Sequence, residues 1–129
     1  MTVPTVATYS TDALVDVHTA FLDRVDISAT AASIKIRDSA DVLLCDVPLD
    51  DPSGTVDGGT GQLTFTWPGG DVATTAGTAA YGEICDGDGN AHLSMPAQVG
   101  VAAVSGYLIL NTLTVIAGQP VTIVSATVG

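Results

Sequence analysis

The chain has 129 residues and sets three Lys or Arg against 14 Asp or Glu, for a formal net charge of −11. Apolar residues make up 47% and charged ones 13%, roughly half the ~25% charged share of an average soluble domain. That length suits one domain with a core of its own, without metal or disulfide; the apolar content excludes intrinsic disorder, and three cations are too few for a phosphate-binding groove or an anionic membrane surface.

Residues 1–9 read as an extended arm, because Pro4 and the β-branched residues around it disfavour helix. The segment has no basic start and no sustained apolar run, so no secretory leader is read there. A single domain is assigned to residues 10–129. Ser10, Thr11 and Asp12 offer an N-cap ahead of Leu14, Val17, Phe21, Leu22 and Val25, whose spacing predicts one amphipathic helix over residues 11–24. Asp16 and Asp23 fall on its outward side, and His18 on or near the apolar stripe.

After Asp26 the period changes to two. Ile34 and Ile36 alternate with Ser33, Lys35 and Arg37, and after the turn at residues 38–41 a second strand is expected over 42–49, with Leu43, Cys45, Val47 and Leu49 aligned. Residues 50–54 and 57–61 read as turn-rich loop. Leu63, Phe65 and Trp67 then alternate with Gln62, Thr64 and Thr66 in the clearest strand of the chain. Further strands are expected over residues 72–75, 78–85, 91–95, 99–104, 107–116 and 121–128, separated by Gly, Pro and Asp-Gly turns. About eight or nine short strands at this spacing predict a mainly β chain, a single β-sandwich or jelly-roll-like domain with one short N-terminal helix.

No run reaches the ~18 apolar residues of a membrane-spanning helix. Cys45 and Cys85 lie in apolar, strand-like surroundings and read as buried free thiols. Asp86-Gly87-Asp88-Gly89-Asn90 begins like a calcium loop, but Ala91 stands at the sixth position and Ala97 at the twelfth, where such a loop needs Gly and Glu. A hairpin turn is the favoured reading, with a weak calcium site at Asp86 and Asp88 left open. Cys45, Cys85 and His92 lack metal-ligand spacing, and no nucleophile elbow, phosphate loop or dinucleotide fingerprint occurs. No enzyme, cofactor or metal is therefore expected.

Charge is distributed unevenly along the chain. Every acidic residue lies within 12–88 and every basic one within 24–37, while residues 89–129 contain no Asp, Glu, Lys or Arg. Exposed strands of a monomer normally carry charge that guards their edges, so an uncharged final third points to protein contacts.

The wording of the strands and turns carries a resemblance. Its pieces are Ser33-Ile34-Lys35-Ile36-Arg37-Asp38, Val42-Leu43-Leu44-Cys45, Gly61-Gln62-Leu63-Thr64-Phe65, Ala80-Tyr81-Gly82-Glu83-Ile84-Cys85 with the following Asp-Gly turn, His92-Leu93-Ser94-Met95-Pro96, and the ending stretches 104–112 and 116–121. From about residue 11 onward the chain resembles small β-rich structural proteins encoded by tailed bacteriophages. The resemblance implies a virion component, with capsid decoration or cement the favoured role. It further implies assembly in the host cytoplasm, a place on the head surface, and two partners, the major capsid protein and the chain itself as a homotrimer or homodimer. No catalytic residues come with it. The contact residues expected are Thr2, Val3, Pro4, Val6 and Tyr9 in the arm, and Tyr107 and Ile109 in the uncharged third. The competing reading is a receptor- or glycan-binding module of a tail fibre or baseplate, which the scarcity of aromatic residues disfavours.

Overall fold

The computed structural model describes residues 7–69 and 71–129. Ser10 caps the helix α1 (Thr11–Val25): its side chain accepts from the Ala13 N–H, and Asp12 and Arg24 sit at the ends that suit their charges. The face that packs against the sheet carries Leu14, His18, Phe21, Leu22 and Val25, a helical repeat in which His18 takes a buried place. Val17, expected on that face, is instead 44% exposed. His18 is accommodated because its Nδ1–H donates to the Gly61 carbonyl at 2.6 Å, and Phe21 meets Phe65 edge to face with ring centroids 6.2 Å apart.

The strands are β1 (Ser33–Arg37), β2 (Leu43–Pro48), β3 (Gly54–Val56), β4 (Leu63–Phe65), β5 (Gly77–Thr78), β6 (Tyr81–Cys85), β7 (Ala91–Val99), β8 (Leu108–Leu110), β9 (Thr114–Val115) and β10 (Ile123–Val128). Eight of them form one sheet in the order β2-β1-β6-β7-β8-β10-β4-β3, and β5 pairs with β9 in a separate ribbon. Every pairing is antiparallel except β7 with β8. Beyond the ends of β2 and β4 the chain is laced together, the Asp50 N–H donating to the Thr66 carbonyl at 2.9 Å and the Thr66 N–H to that of Ser53. The sheet is therefore curled, and its halves enclose one core. Ile34, Ile36, Leu44, Leu63, Phe65, Ile84, Met95, Leu108 and Leu110 fill it, each such side chain contributing about 1.5–3 kcal/mol by leaving water. The chain is thus the mainly β, sandwich-like domain that its periodicity predicts.

Several strand boundaries differ from expectation, for identifiable reasons. Residues 78–85 and 107–116 each break in two, because at both places the chain passes between the main sheet and the β5–β9 ribbon. Residues 72–75 form no strand: Val72 makes an isolated bridge to Pro120, and the N–H groups of Thr74 and Thr75 point to the Leu44 carbonyl, covering the edge of β2. In β2 the irregular pairing between Ile36 and Arg37 buries both Leu44 and Cys45 and leaves Leu43 half-buried. Gly54, read as loop, opens the edge strand β3, and a Cβ on it would fall 2.4 Å from the Thr64 carbonyl oxygen. Finally, β7 runs through Pro96 to Val99. The Ala97 N–H donates toward β6, to Ala80, so the Pro96 nitrogen faces the other side, where β8 has not begun: its first partner is Ala97. Residues 100–104 then become loop rather than strand.

Candidate functional site

Two faces of the sheet differ in chemistry. On β1 the outward residues Lys35 and Arg37 sit between acids on both neighbouring strands. Lys35 lies directly opposite Asp46 of β2 and Glu83 of β6, and its Nζ donates to Asp46 Oδ2 at 2.7 Å. Arg37 Nε donates to Glu83 Oε1, and its Nη1 to the Asp41 carbonyl at 3.0 Å. That bond to Glu83 pushes the guanidinium pKa further up. Tyr81 donates its phenol to Asp41 Oδ1 at 2.7 Å, which pushes its pKa up to about 12. Two of the chain's three cations are thus spent within the sheet, and cross-strand pairs of this partly exposed kind contribute roughly 0–1 kcal/mol each.

The turn at residues 86–90 joins β6 to β7, as a hairpin reading requires. Asp86 is buried, and its Oδ1 accepts from the N–H groups of Asp88 and Asn90 at 3.0 and 2.9 Å. Its Oδ2 accepts from His92 Nε2 at 2.8 Å and Asn90 Nδ2 at 3.3 Å. The His92 bond, followed by the Asn90 N–H, holds the carboxyl down at about 2. Both oxygens are committed to shaping the corner, and Gly89 supplies the positive φ of +88° that closes it. Beside the turn, an open groove of about 410 Å³ runs along the outer face past Thr30, Lys35, Asp46, Asp71 and Gly87. No aromatic side chain lines it.

Both cysteines are buried, and burial pushes both thiols up. Cys45 pairs with Ile36 and Cys85 with Ser33. Ile36 and Ser33 point to opposite faces of β1, so the thiols lie on opposite faces of the sheet and cannot bridge. The same separation keeps Cys45 from converging with Cys85 and His92.

The uncharged residues after Gly89 form the neighbouring strands β7, β8 and β10. Between β7 and β8, residues 100–107 fold back over the outer side of β8 and β10. The Gly100 N–H donates to the Leu110 carbonyl at 3.1 Å, and the Gly106 N–H to the Thr127 carbonyl at 2.8 Å. A Cβ on Gly100 would lie 3.1 Å from Ile109 Cγ2, so the start of the loop packs directly against that side chain. Thr127 of β10 is buried too, its Oγ1 without a partner among the described residues. On the loop's solvent side stand Val101 (96% exposed), Val104 (44%) and Tyr107 (37%).

The expected contact residues divide accordingly. Thr2, Val3, Pro4 and Val6 lie outside the described residues. Tyr9 is exposed, as is Tyr107 at the loop's end. Ile109 is corrected: at 1% exposure it belongs to the interior, because the chain's own loop covers the face of β8 that was expected to meet a neighbour. Val101 and Val104, exposed apolar positions of the loop, were absorbed into a strand by their β-branched run. The signal pointing otherwise is the small, turn-forming Ser105-Gly106 pair right after them.

Among the described residues no helix is long and apolar enough to cross a membrane. Comparison with known proteins finds no matching family model, no matching curated protein and no matching solved structure.

Proposed function

We propose that this chain is a structural component of a bacteriophage virion, a non-catalytic decoration or cement protein that binds the head shell as an oligomer and stabilises it. The observation that carries the reading is the segregation of charge. Residues 89–129 build adjacent strands and an apolar outer loop with no Asp, Glu, Lys or Arg, and stable interfaces are depleted of charge at their centres. The resemblance to small phage β-proteins supplies the setting, and the fold supplies a rigid block whose acidic loops, Asp50, Asp51 and Asp57 among them, stay exposed. Many such blocks bridging neighbouring shell subunits oppose internal pressure together, through multivalency rather than through any single strong contact. The receptor- or glycan-binding alternative has less support, since the broad groove beside the Asp86 turn lacks the aromatic platform on which sugars stack.

Purified virions test this. Quantitative gel analysis should find the protein at a copy number matching the head lattice, and heads lacking it should lose DNA at lower temperature. Deleting residues 2–9 should lower occupancy, whereas Asp51→Ala in an exposed loop should not. A few copies confined to tails, with heads equally robust without them, would reject the cement role and favour the fibre module.

A further inference from the structure

We propose that the loop over residues 100–107, with the adjoining outer row of β7, is the surface through which this chain pairs with a second copy of itself. This deepens the assembly reading above and rests on it. Three exposed large apolar side chains, Val101, Val104 and Tyr107, fall within seven consecutive residues. A connecting loop normally presents polar residues to water.

The loop is also held in shape. Gly100 and Gly106 anchor it to Leu110 and Thr127, and the Tyr107 N–H closes a turn onto the Val104 carbonyl at 3.1 Å. Its apolar side chains are therefore presented in a fixed arrangement, so little ordering cost accompanies docking. Pro96 and Gln98, exposed on the neighbouring β7 and uncharged, extend the patch beyond the loop, toward the roughly 800 Å² per partner that a standard interface needs.

Charge identifies the occupant. Each copy carries −11, and all of its formally charged side chains lie before residue 89. Two copies repel wherever those residues face each other, and the region built from residues 89–129 is where they can meet without opposing like charges. A basic partner would gain more from the acidic loops than from this patch. An identical, equally acidic partner gains from the patch alone.

The inference predicts the sign of a salt dependence. Raising NaCl from about 0.1 M to about 1 M shortens the screening length from about 10 Å to about 3 Å. Long-range repulsion between the copies falls while the apolar contact persists, so self-association strengthens. A contact built on ion pairs would weaken instead.

Sedimentation equilibrium of the full chain over a concentration series, at both salt levels, reads this directly. The unsubstituted chain should self-associate and do so more tightly at high salt. Val101→Asp should weaken association at least about tenfold, because it sets like charges against each other in a dry contact. Val101 is almost fully exposed, so the variant should keep the circular dichroism and melting point of the parent. Val72→Asp, at an exposed apolar site outside the patch, should associate like the parent. A parent chain monomeric to about 100 μM, association that weakens with salt, or a Val101→Asp variant that associates normally would each overturn the inference. A monomer that still decorates heads rejects this surface while leaving the virion role standing; a salt-strengthened oligomer absent from virions does the reverse.

Discussion

The junction between helix and sheet hangs on one carboxylate. Asp26, the C-cap of α1, accepts from the backbone N–H of Ser53 at 3.0 Å and from the Ser53 hydroxyl. Ser53 is fully buried, so Asp26→Ala strands two donors away from water. Each such orphan costs about 1–3 kcal/mol. Asp26 is only half-buried and water can partly replace it, which sets the expected total near the lower end, about 2–3 kcal/mol. Ser53→Ala removes a donor but leaves the carboxylate its N–H bond and solvent, for about 1 kcal/mol. The double variant strands only the N–H, at about 1–1.5 kcal/mol, so it should cost about 2 kcal/mol less than the two single losses combined. Asp26→Asn keeps an acceptor and should fall between the parent and Asp26→Ala. Urea unfolding followed by fluorescence of Trp67, the single tryptophan, measures all four, and an unchanged denaturant slope confirms that stability alone has moved. The thermal midpoint should drop by about 4 °C per kcal/mol for a domain of this size. A loss below about 0.5 kcal/mol for Asp26→Ala, or strict additivity in the double variant, would refute the view that this carboxylate clamps the helix to the loop.

Asp86 governs the acid limb of stability. Its carboxyl is held down at about 2, against 3.8 for an ordinary aspartate; the stabilisation is therefore present above about pH 4 and is lost as the pH falls toward 2. His92→Ala removes the principal cause and should flatten that limb in an acid titration of the melting temperature, and an unchanged limb would contradict the assignment. The thiols of Cys45 and Cys85 should react slowly with a disulfide reagent in the native chain and count as two after denaturation, and an intact mass lower by two hydrogens would contradict their placement on opposite faces.

The alternation Ser33-Ile34-Lys35-Ile36-Arg37 determined a strand with an apolar and a charged face, because side chains in a pleated strand can only alternate, and β1 has those bounds. Ser10 and the spacing from Leu14 to Val25 determined the helix, since capping and the 3.6-residue repeat act within a few residues of chain. The gap in charge after residue 88 was legible as well. Pairing partners were not, because hydrogen bonds between strands depend on residues far apart in sequence. The tertiary structure alone decided that residues 78–85 and 107–116 divide between a sheet and a ribbon, that Gly54–Val56 finds Leu63–Phe65, and that His18 rather than Val17 turns inward to the Gly61 carbonyl. It also decided the outer surface of the final third. Val101 and Ile109 are both apolar residues of one uncharged run, yet one is almost fully exposed and the other buried. The difference comes from the parallel pairing of β7 with β8, which obliges residues 100–107 to cross back over the sheet, a long-range event with no trace in local periodicity.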